Sequence, residues 1–529
     1  MDAMEQLAFW GSCFTFLALA FGLLWLQSLK ELPPGPWGLP VLGYLPWIDR
    51  EKPQKTMMDL AKRYGKIFSV SMGSLFTVVL TDPQLIKEAL SRDVFTDRAN
   101  LHLTHGIMRG NGIIAAQGSK WREQRRFLTS FLKNAGMLKV GNKRDHMQNR
   151  ILVGVFEACE MIRRSNGAPT DPLKVLIHTM GNVMNELLFG IKYQEGDPQW
   201  EYLQELAVEG VKLIGVAGPL NFLPFLRFLP SFRRTTKYIL EGQKATHEEY
   251  KSISQRQSSE DQDNLLYMFK KEMASGRGEH FNEEQMYFLL ADMFGAGVET
   301  SLTTLRWFLL FMAANPSNQE EVFEEIHTIT KDKDTPELVD LPQMPYLEAC
   351  ILETQRIRPV VPLGIPHGSK EDAELGGYRI PQGSMILVPQ YVLHMDSQAW
   401  VDPDRFDPAR FLDFNSGKLV RDHSHFMPFQ CGKRSCIGEE MARMMLFLFG
   451  AAILKKFSVS LPPDSDLQEL LSGDNGITWA PSRHLLVFST RNHQANPKDA
   501  AEGFTTTKDV SNLSSNDTMQ DLMQSMGPL

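Results

Sequence analysis

The amino-acid sequence predicts a mostly α-helical protein with small β-sheets. Apolar residues recur at helical spacing through most of residues 83–356. Short runs rich in β-branched and aromatic residues precede this region at 66–72 and 76–80, and others follow it at 378–380 and 385–388. The chain has 529 residues, of which 43% are hydrophobic, so its length suits one large core as well as several domains.

The N-terminus carries an apolar run at residues 7–26 that contains no charged side chain. As a helix, a run of this length can cross the hydrocarbon core of a membrane. A cleaved signal peptide is the alternative, but Asp2 and Glu5 precede the run where a signal peptide carries positive charge. We therefore expect residues 1–30 to form a single-pass anchor. Lys30 follows the run, which by the positive-inside rule favours a cytosolic location for the rest of the chain.

Three further segments follow the apolar run. Residues 31–40 are rich in proline, which restricts φ and removes backbone donors, so they are expected to form a stiff hinge. Residues 41–491 contain the periodic apolar patterns and are the expected globular domain. Residues 492–529 are polar and rich in Asn, Ser, Thr and Asp, which predicts a disordered tail.

The composition argues against several classes of protein. A formal net charge of −8 offers no overall basic footprint for nucleic acid, and no nucleic-acid partner is expected. The cysteines number five, without the close pairs of a disulfide scaffold or a zinc site, which favours a reducing compartment. They are Cys13, Cys159, Cys350, Cys431 and Cys436.

The loop at residues 426–438 is the most informative local pattern. Cys436 follows Arg434 by two residues and stands between Gly432 and Gly438. A cysteine that ligates haem iron as a thiolate needs nearby N–H donors, a cation, and glycines where the chain passes under a flat macrocycle. The alternative is a cysteine that is only a small buried hydrophobe. A helix is expected to follow at Glu439–Lys456 and to pack behind the loop.

The spacing Phe429-x-x-Gly432-x-Arg434-x-Cys436-x-Gly438 resembles the haem-binding signature of cytochromes P450. The resemblance extends over residues 33–488, and the proline-rich hinge after an apolar run is typical of microsomal members. It implies the cytochrome P450 fold, a haem-thiolate catalytic domain at 41–491 with haem b (iron protoporphyrin IX), and Cys436 as the axial iron ligand. The neighbouring Cys431 is then not a ligand.

A second pattern resembles a structural network of the same family. Glu353 and Arg356 are three residues apart, so they share one helical face. Arg410 lies between them and the cysteine loop, in the order found in the family. The usual glutamate before this arginine is replaced by Ala409. The resemblance implies a buried and structural network of Glu353, Arg356 and Arg410.

Residues 294–301 place two glycines, an acid and a hydroxyl in an apolar helical pattern. Gly295 and Gly297 each weaken a helix by about 1 kcal/mol relative to alanine. We expect them to open the helix so that Thr300 and a water can face a ligand; a kink that serves only packing is the alternative. The segment resembles the oxygen-binding helix of cytochromes P450, which implies proton-relay roles for Glu299 and Thr300.

Further donors for the haem propionates follow from the resemblance. Trp121 and Arg125 share one helical face, and the other candidates come from three separate parts of the chain. The expected cofactor-binding residues are Arg98, Trp121, Arg125, His367, Phe429, Arg434 and Gly438.

The source of electrons is expected to be a separate protein. Residues 110–115 fit a G-x-G-x-x-A pattern, but no strand-turn-helix unit surrounds them, and no other flavin or nicotinamide motif is present. The resemblance implies that NADPH supplies electrons through NADPH-cytochrome P450 reductase at the endoplasmic reticulum membrane. Exposed cations near the proximal haem face would meet this acidic flavoprotein. They are Arg122, Arg126, Lys133 and Lys433; solubilising charge is the alternative.

Five stretches, at residues 103–108, 209–215, 221–224, 294–310 and 360–368, resemble the substrate-contacting segments of insect clan-two members that hydroxylate ecdysteroids at C25. This implies a steroid substrate and 25-hydroxylation in moulting-hormone biosynthesis. Ecdysteroid 26-hydroxylation, xenobiotic or lipid oxidation, and a non-catalytic haem-thiolate sensor are alternatives. A thiol-dependent hydrolase would need a histidine base near Cys436, and no such arrangement is recognisable. The expected substrate contacts are His105, Met108, Ile114, Val211, Ile214, Phe294, Val361, Leu363 and Trp479.

Overall fold

The structure is a computed structural model that describes residues 31–491, apart from residues 214, 216, 257–262, 277 and 332. The helices are α1 (Pro53–Tyr64), α2 (Pro83–Ser91), α3 (Gly118–Asn134), α4 (Asn142–Arg164), α5 (Pro172–Phe189), α6 (Pro198–Leu213), α7 (Pro219–Phe222), α8 (Pro230–Arg256), α9 (Leu265–Ser275), α10 (Glu283–Ala314), α11 (Pro316–Thr330), α12 (Pro345–Ile357), α13 (Gln390–His394), α14 (Glu439–Lys456) and α15 (Leu467–Ser472). The strands are β1 (Ile67–Met72), β2 (Leu75–Leu80), β3 (Asp97–Arg98), β4 (His367–Gly368), β5 (Ala373–Leu375), β6 (Tyr378–Ile380), β7 (Met385–Leu387), β8 (Phe457–Ser460), β9 (Asp474–Asn475), β10 (Trp479–Ala480) and β11 (Val487–Thr490). The mostly helical expectation is confirmed.

Helix α10 is the centre of the helical core. It packs against α5, α12 and α14, and its last two turns, residues 307–314, are apolar on all sides, as expected of a helix surrounded by protein. Leu305, Phe308 and Met312 have no exposed surface. The helix begins where the side chain of Asn282 accepts a hydrogen bond from the N–H of Gln285.

Helix α10 is continuous through Gly295 and Gly297, which corrects the expectation of a local opening. A Cβ atom at Gly297 would lie 2.7 Å from Cε of Met184, so this glycine permits close packing of α10 on α5. A Cβ atom at Gly295 would meet no atom within 4 Å. The two glycines therefore have different environments, and neither breaks the helix.

The largest sheet in the described residues has five strands in the order β1-β2-β7-β4-β3. β1 and β2 form an antiparallel hairpin, and β2 runs parallel to β7. β4 pairs antiparallel with both β7 and β3. Within the β3–β4 pair, Arg98 lies opposite His367. The sheet edge thus brings together two side chains from distant parts of the sequence.

The proline-rich hinge lies along β1. The N–H of Ser69 donates to the carbonyl oxygen of Pro34 (2.8 Å), and its hydroxyl donates to that of Pro33 (2.7 Å). A Cβ atom at Gly35 would lie 1.8 Å from the carbonyl oxygen of Ser69, so only glycine fits there. The segment is therefore docked on the domain over this length.

The predicted anchor (residues 1–30) and the predicted polar tail (residues 492–529) lie outside the described residues. Among the helices in the described part of the chain, none combines the length and apolar character that a membrane span requires.

The packing of Gly181 provides a test of the helical core. A Cβ atom there would lie 2.6 Å from Cζ2 of Trp200, whose side chain is buried, whereas the site of Gly295 is open. We expect Gly181→Ala to lower the free energy of unfolding by about 1–3 kcal/mol because of overpacking. Gly295→Ala should raise it by up to about 1 kcal/mol because alanine favours helix. Urea-induced unfolding measures both, and equal effects of the two variants would contradict this packing.

Candidate functional site

The loop around Cys436 is held by its own backbone. The N–H of Cys436 donates to the carbonyl oxygen of Phe429 (3.0 Å), which closes the loop before α14 begins. Gly432 has φ +75°, and a Cβ atom there would lie 2.2 Å from the carbonyl oxygen of Leu90. Gly438 has φ −96°, and a Cβ atom would meet nothing within 4 Å. Protein packing therefore explains why residue 432 is a glycine, but it does not explain why residue 438 is one.

Opposing influences act on the thiol of Cys436. Burial raises its pKa, whereas the N–H of Gly438 and the charge of Arg125 stabilise the thiolate and lower it. Arg125 is fixed nearby because its Nη2 donates to the carbonyl oxygen of Ser435 (2.9 Å). The side chain of Cys436 is nevertheless accessible to a water-sized sphere. Cys436 can be both surrounded by protein and exposed if its sulfur faces a space inside the protein rather than bulk water.

Arg434 points inward from this loop. Its guanidinium donates to the carbonyl oxygens of Thr96 (2.8 Å), Ile113 (3.3 Å) and Ala116 (2.5 Å), and it lies 4.3 Å from the ring centroid of Trp121. A guanidinium has five N–H donors, so these bonds leave donors for another acceptor. The loop and α3 thus share one buried cation.

Arg98 and His367 add to this group from the sheet edge. Arg98 donates to the carbonyl oxygens of Ile114 (3.0 Å) and Ile365 (3.2 Å). Nδ1 of His367 donates to the carbonyl oxygen of Phe95 (2.8 Å), which leaves Nε2 as the other ring nitrogen. Burial and the nearby Arg98 lower the pKa of His367 to about 3, so the ring is neutral at physiological pH.

Positive charge exceeds negative charge in this cluster. Burial and the charge of Arg98 lower the pKa of Arg434 to about 8, and burial and the charge of Arg125 lower that of Arg98 to about 10. Asp97 and Asp292 oppose these shifts only in part. Buried cations that repel one another are stabilised by an anionic ligand.

These observations fit haem. The propionates would satisfy the excess cations, and the macrocycle would explain the glycine at Gly438 and the accessible sulfur of Cys436. Ala296 is exposed and Thr300 half-exposed in the middle of the otherwise buried helix α10, as expected of residues that face a ligand space. Within the described residues, no three His, Cys, Asp or Glu side chains converge as metal ligands, and a metal held in a macrocycle needs only one protein ligand.

The structure brings Glu353, Arg356 and Arg410 together. Nε and Nη2 of Arg356 donate to the two carboxylate oxygens of Glu353 (2.6 and 2.8 Å), and both side chains are fully buried. Nε of Arg410 lies 3.4 Å from Oε1 of Glu353, which also accepts the N–H of Asp407 (2.9 Å). Each guanidinium of this network therefore lies beside a carboxylate, whereas the cations near Cys436 are held mainly by backbone carbonyl oxygens.

His394 connects this network to the cysteine loop, a link that sequence reasoning missed. Its carbonyl oxygen accepts from Arg356 (2.9 Å), and its Nε2 accepts the N–H of Met427 (3.0 Å). Burial lowers the pKa of His394 to about 3, so the ring is neutral, and because Nε2 accepts the N–H of Met427 its single proton lies on Nδ1. Gln390 donates to the carbonyl oxygen of Met427 (3.0 Å). The ion pair thereby positions the start of the loop.

Glu299 and Thr300 are adjacent on α10 but have different partners. Oε1 of Glu299 accepts from the hydroxyls of Thr303 (3.0 Å) and Thr478 (3.2 Å), and burial raises the pKa of the carboxyl group. The hydroxyl of Thr300 donates to the carbonyl oxygen of Ala296 (2.7 Å). None of the hydrogen bonds found in the described residues joins Glu299 directly to Thr300.

Helix α10 also holds the glycine pattern at residues 110–115. Oδ2 of Asp292 accepts from the N–H groups of Ile113 (2.7 Å) and Ile114 (2.8 Å). Gln285 exchanges two hydrogen bonds with the backbone of Gly112. Gly112 has φ +78°, and a Cβ atom there would lie 2.1 Å from Asp292. The pattern therefore reflects close approach of a loop to a buried carboxyl group, a contact that the sequence did not reveal.

A cavity of about 240 Å³ lies on another face of α10, and its walls come mainly from α5, α6, α8 and α10. Two of the predicted substrate contacts, Met108 and Phe294, line it. Glu299 also borders it. The remaining walls are mostly apolar, with aromatic side chains from Tyr193, Trp200, Tyr238, Tyr250 and Phe288.

One wall of the cavity is fixed by a buried histidine that the sequence did not single out. Nε1 of Trp200 donates to Nδ1 of His178 (3.0 Å), so Nε2 carries the proton and donates to Glu157 (2.9 Å). The ring of Trp200 stacks on Tyr193 (5.0 Å) and meets Phe294 edge-on (5.9 Å). The position of Trp200 is therefore determined from three sides.

Other predicted substrate contacts do not line this cavity. His105 bonds to Thr104 and Gln117 within its own turn and the adjoining loop (3.0 and 2.6 Å). Ile114 uses its backbone N–H and carbonyl group to hold the loop in place. Leu363 is buried in a core cluster, Val361 is half-buried, and neither borders the cavity. Ile214 and the side chain of Val211 lie outside the described residues.

The expectation that Trp479 contacts substrate is corrected by its position. Its buried ring packs 6.0 Å from Trp307 and 5.7 Å from Tyr391, and its Nε1 donates to the carbonyl oxygen of Ser472 (2.9 Å). Arg358 lies over the ring at 4.7 Å. The Trp479 indole therefore packs in the protein core and does not form part of the cavity wall.

The four cations proposed for reductase contact are exposed. Arg122, Arg126 and Lys133 lie on α3, which also carries Arg125, and Lys433 belongs to the cysteine loop. Nζ of Lys433 lies 2.8 Å from Oδ1 of Asp93, so part of its charge is already neutralised.

Comparisons with known proteins agree with this geometry. The family described as Cytochrome P450 matches residues 33–488. The chain is 41% identical to "Cytochrome P450 306a1" of Drosophila melanogaster over 515 residues, which covers 86% of this chain and 88% of that protein. It is 36% identical to "Cytochrome P450 18a1" of Drosophila melanogaster over 492 residues, with 90% of each chain covered. It is 31% identical to "Cytochrome P450 2U1" of Homo sapiens over 511 residues, which covers 90% of this chain and 92% of that protein.

The buried carboxyl group of Asp292 predicts a pH dependence of stability. Burial raises its pKa from 3.8 to about 7. Between these values the folded chain holds a proton that the unfolded chain has lost, so stability falls as the pH rises through this window. The loss amounts to at most about 4 kcal/mol.

Urea-induced unfolding at about pH 4 and about pH 7.5 tests this. The free energy of unfolding of wild type relative to Asp292→Asn should decrease at the higher pH, because asparagine does not titrate. Asp59→Asn, at an exposed carboxylate, serves as the control. Parallel pH profiles for wild type and Asp292→Asn would contradict the assignment.

Proposed function

Because the chain belongs to the cytochrome P450 family, whose members are monooxygenases, we propose that it hydroxylates an unactivated C–H bond of a steroid. The proposed reaction is 25-hydroxylation of an ecdysteroid precursor in moulting-hormone biosynthesis. The observation that carries the proposal is the buried, uncompensated cation cluster beside the accessible thiol of Cys436, because this arrangement suits haem and serves no evident purpose without it.

Haem, when bound through a thiolate, supplies the chemistry that activates dioxygen. Cys436 is the proposed iron ligand, and the N–H of Gly438 with Arg125 favours its thiolate form. Arg98, Arg125 and Arg434 bind the propionates in this proposal, with His367 as a neutral partner. Trp121 supports Arg434 by packing against its guanidinium. Phe429 closes the ligand loop through its carbonyl oxygen.

Thr300 and Glu299 are proposed to handle protons. The raised pKa of Glu299 favours retention of a proton that the group can donate during turnover. Thr300 holds its hydroxyl on the half-exposed side of α10, where a water or a reacting oxygen can meet it. Glu299 also borders a small polar cleft lined by Thr478, Lys212 and Asp474, which offers a source of water for reprotonation.

The apolar and aromatic cavity beside α10 supports a large lipophilic substrate. The resemblance of the substrate loops to ecdysteroid hydroxylases supports a steroid in particular. Attack at C25 requires the side chain, rather than the ring system, to approach the iron, and this orientation is part of the proposal.

The proposed partner is NADPH-cytochrome P450 reductase, and the proposed location is the endoplasmic reticulum membrane with the catalytic domain in the cytosol. Residues 1–30 are the proposed anchor. The exposed cations Arg122, Arg126 and Lys133 on α3 are the proposed docking groups, because α3 also carries Arg125 beside the Cys436 loop.

Incubation of the haem-loaded protein with reductase, NADPH and a 25-deoxy ecdysteroid tests the proposed reaction. We expect one new hydroxyl at C25, located by mass spectrometry and NMR. Cys436→His should abolish both product formation and the thiolate-type Soret shift of the reduced, carbon monoxide-bound protein. The matched variant Cys431→Ser should retain both. A hydroxyl at C26 would replace the proposed regiochemistry, and a retained thiolate band in Cys436→His would refute the ligand assignment.

Thr300→Ala tests the proton-handling role. Loss of the hydroxyl should uncouple electron use from hydroxylation, so peroxide release per NADPH rises severalfold while the thiolate-type Soret band stays unchanged. Thr304→Ser is the matched control, because its hydroxyl can still bond back to the carbonyl oxygen of Thr300 in the helix. Unchanged coupling in Thr300→Ala would remove this residue from the proposed relay.

A further inference from the structure

Two polar groups in the cavity beside α10 have no partner within the described protein. Asn185 on α5 is 3% exposed, borders the cavity, and has an amide nitrogen Nδ2 without a hydrogen bond. His247 on α8 also borders the cavity, and its ring nitrogen Nε2 is buried without a partner. A buried donor or acceptor that stays unpaired is costly, so such groups commonly serve a ligand.

Asn185 presents a donor. Its side chain comes from the middle of α5, a helix that packs directly against α10, and the surrounding wall is aromatic and aliphatic. The amide nitrogen lacks a partner in the protein, and an acceptor brought by the cavity's occupant would supply one. Hydroxyl and carbonyl oxygens are acceptors of this kind.

His247 presents a neutral ring nitrogen. The ring is perpendicular to that of Phe288 (centroids 4.8 Å apart) and lies near that of Tyr287 (5.9 Å), so aromatic packing fixes its position at the cavity. Burial lowers the pKa of His247, although Glu284 opposes the shift. A neutral imidazole nitrogen can donate to a carbonyl oxygen or accept from a hydroxyl group, depending on the tautomer.

Three other polar side chains of the cavity already have partners. The hydroxyl of Thr246 donates to the carbonyl oxygen of Gly242 (2.9 Å), and that of Tyr193 donates to Glu249 (3.0 Å). Nε1 of Trp200 is bound to His178. Gln204, Tyr238, Gln243 and Tyr250 line the cavity as well, but among its lining residues in the described chain only Asn185 and His247 have a buried side-chain nitrogen without a hydrogen-bond partner.

We propose that Asn185 and His247 are specificity-determining residues that bind hydroxyl or carbonyl oxygens of an otherwise apolar ligand. This deepens the proposed function, on which it rests, by naming what the cavity recognises: an oxygenated lipophile is preferred over a hydrocarbon of the same shape. The apolar walls supply most of the contact area, and the two polar groups select among ligands.

Three probes with related carbon skeletons and decreasing numbers of oxygen atoms test the proposal. They are a 25-deoxy ecdysteroid, cholesterol and 5α-cholestane, delivered in cyclodextrin to the haem-loaded protein. Dissociation constants are measured by isothermal titration, and the ligand-induced shift of the thermal unfolding midpoint provides a second readout. Wild type should bind the ecdysteroid most tightly and cholestane most weakly.

The variants Asn185→Leu and His247→Phe should each weaken binding of the ecdysteroid about threefold to tenfold, as expected for one lost hydrogen bond. Neither should weaken binding of cholestane. Thr246→Val is the matched control, because its hydroxyl is satisfied within α8, and it should not change the ratio of the two dissociation constants. The thiolate-type Soret band confirms that each variant is folded and loaded.

Equal losses for the ecdysteroid and cholestane, or no loss for either in both variants, would overturn the proposal. So would failure of wild type to prefer the oxygenated probes. The location of the new hydroxyl in turnover remains a separate result. Hydroxylation away from C25 with a retained binding preference would refute only the proposed reaction, whereas hydroxylation at C25 without the preference would refute only this inference.

Discussion

The buried positive charge beside Cys436 is the constraint on which the rest of the site depends. Arg98, Arg125 and Arg434 come from a sheet edge, a helix and the cysteine loop, and each is held by backbone carbonyl groups. The nearby carboxylates offset only part of this charge. Buried cations of this kind are expensive unless an anion joins them. Loop, helix and sheet are therefore arranged to receive an anionic ligand.

The Glu353 network represents the opposite case. Its carboxylate meets Arg356 and Arg410, the remaining donors reach backbone oxygens, and the group is complete without a ligand. Through His394 it fixes Met427 at the start of the cysteine loop. An ion-paired network thus positions a loop whose own cation, Arg434, has no carboxylate among its hydrogen-bond partners. The Glu353 network thereby helps to place Arg434, because a displaced cysteine loop would bury this cation away from the other groups of the site.

Helix α10 combines several tasks along one length of chain. Asp292 holds the loop that carries Ile113 and Ile114, Phe294 forms cavity wall, and Glu299 and Thr300 face polar partners. At about 100° per residue, Asp292 and Glu299, seven residues apart, share one face, whereas Thr300 is turned away from Phe294. One helix therefore holds the loop at residues 113–114, forms part of the cavity wall and carries Glu299 and Thr300.

Sequence by itself determined the fold class, the α14 boundaries, the two strands between residues 66 and 80, and the identity of Cys436, Glu353 and Arg356 as members of meaningful patterns. These features depend on local spacing, which a sequence displays directly. Tertiary structure decided the rest. Gly297 proved to serve helix packing, Trp479 proved to be core, and Asn185, His178, His247 and Asp292 acquired meaning only from neighbours far away in sequence. Whether a polar side chain is satisfied depends on three-dimensional partners, and no local pattern records them.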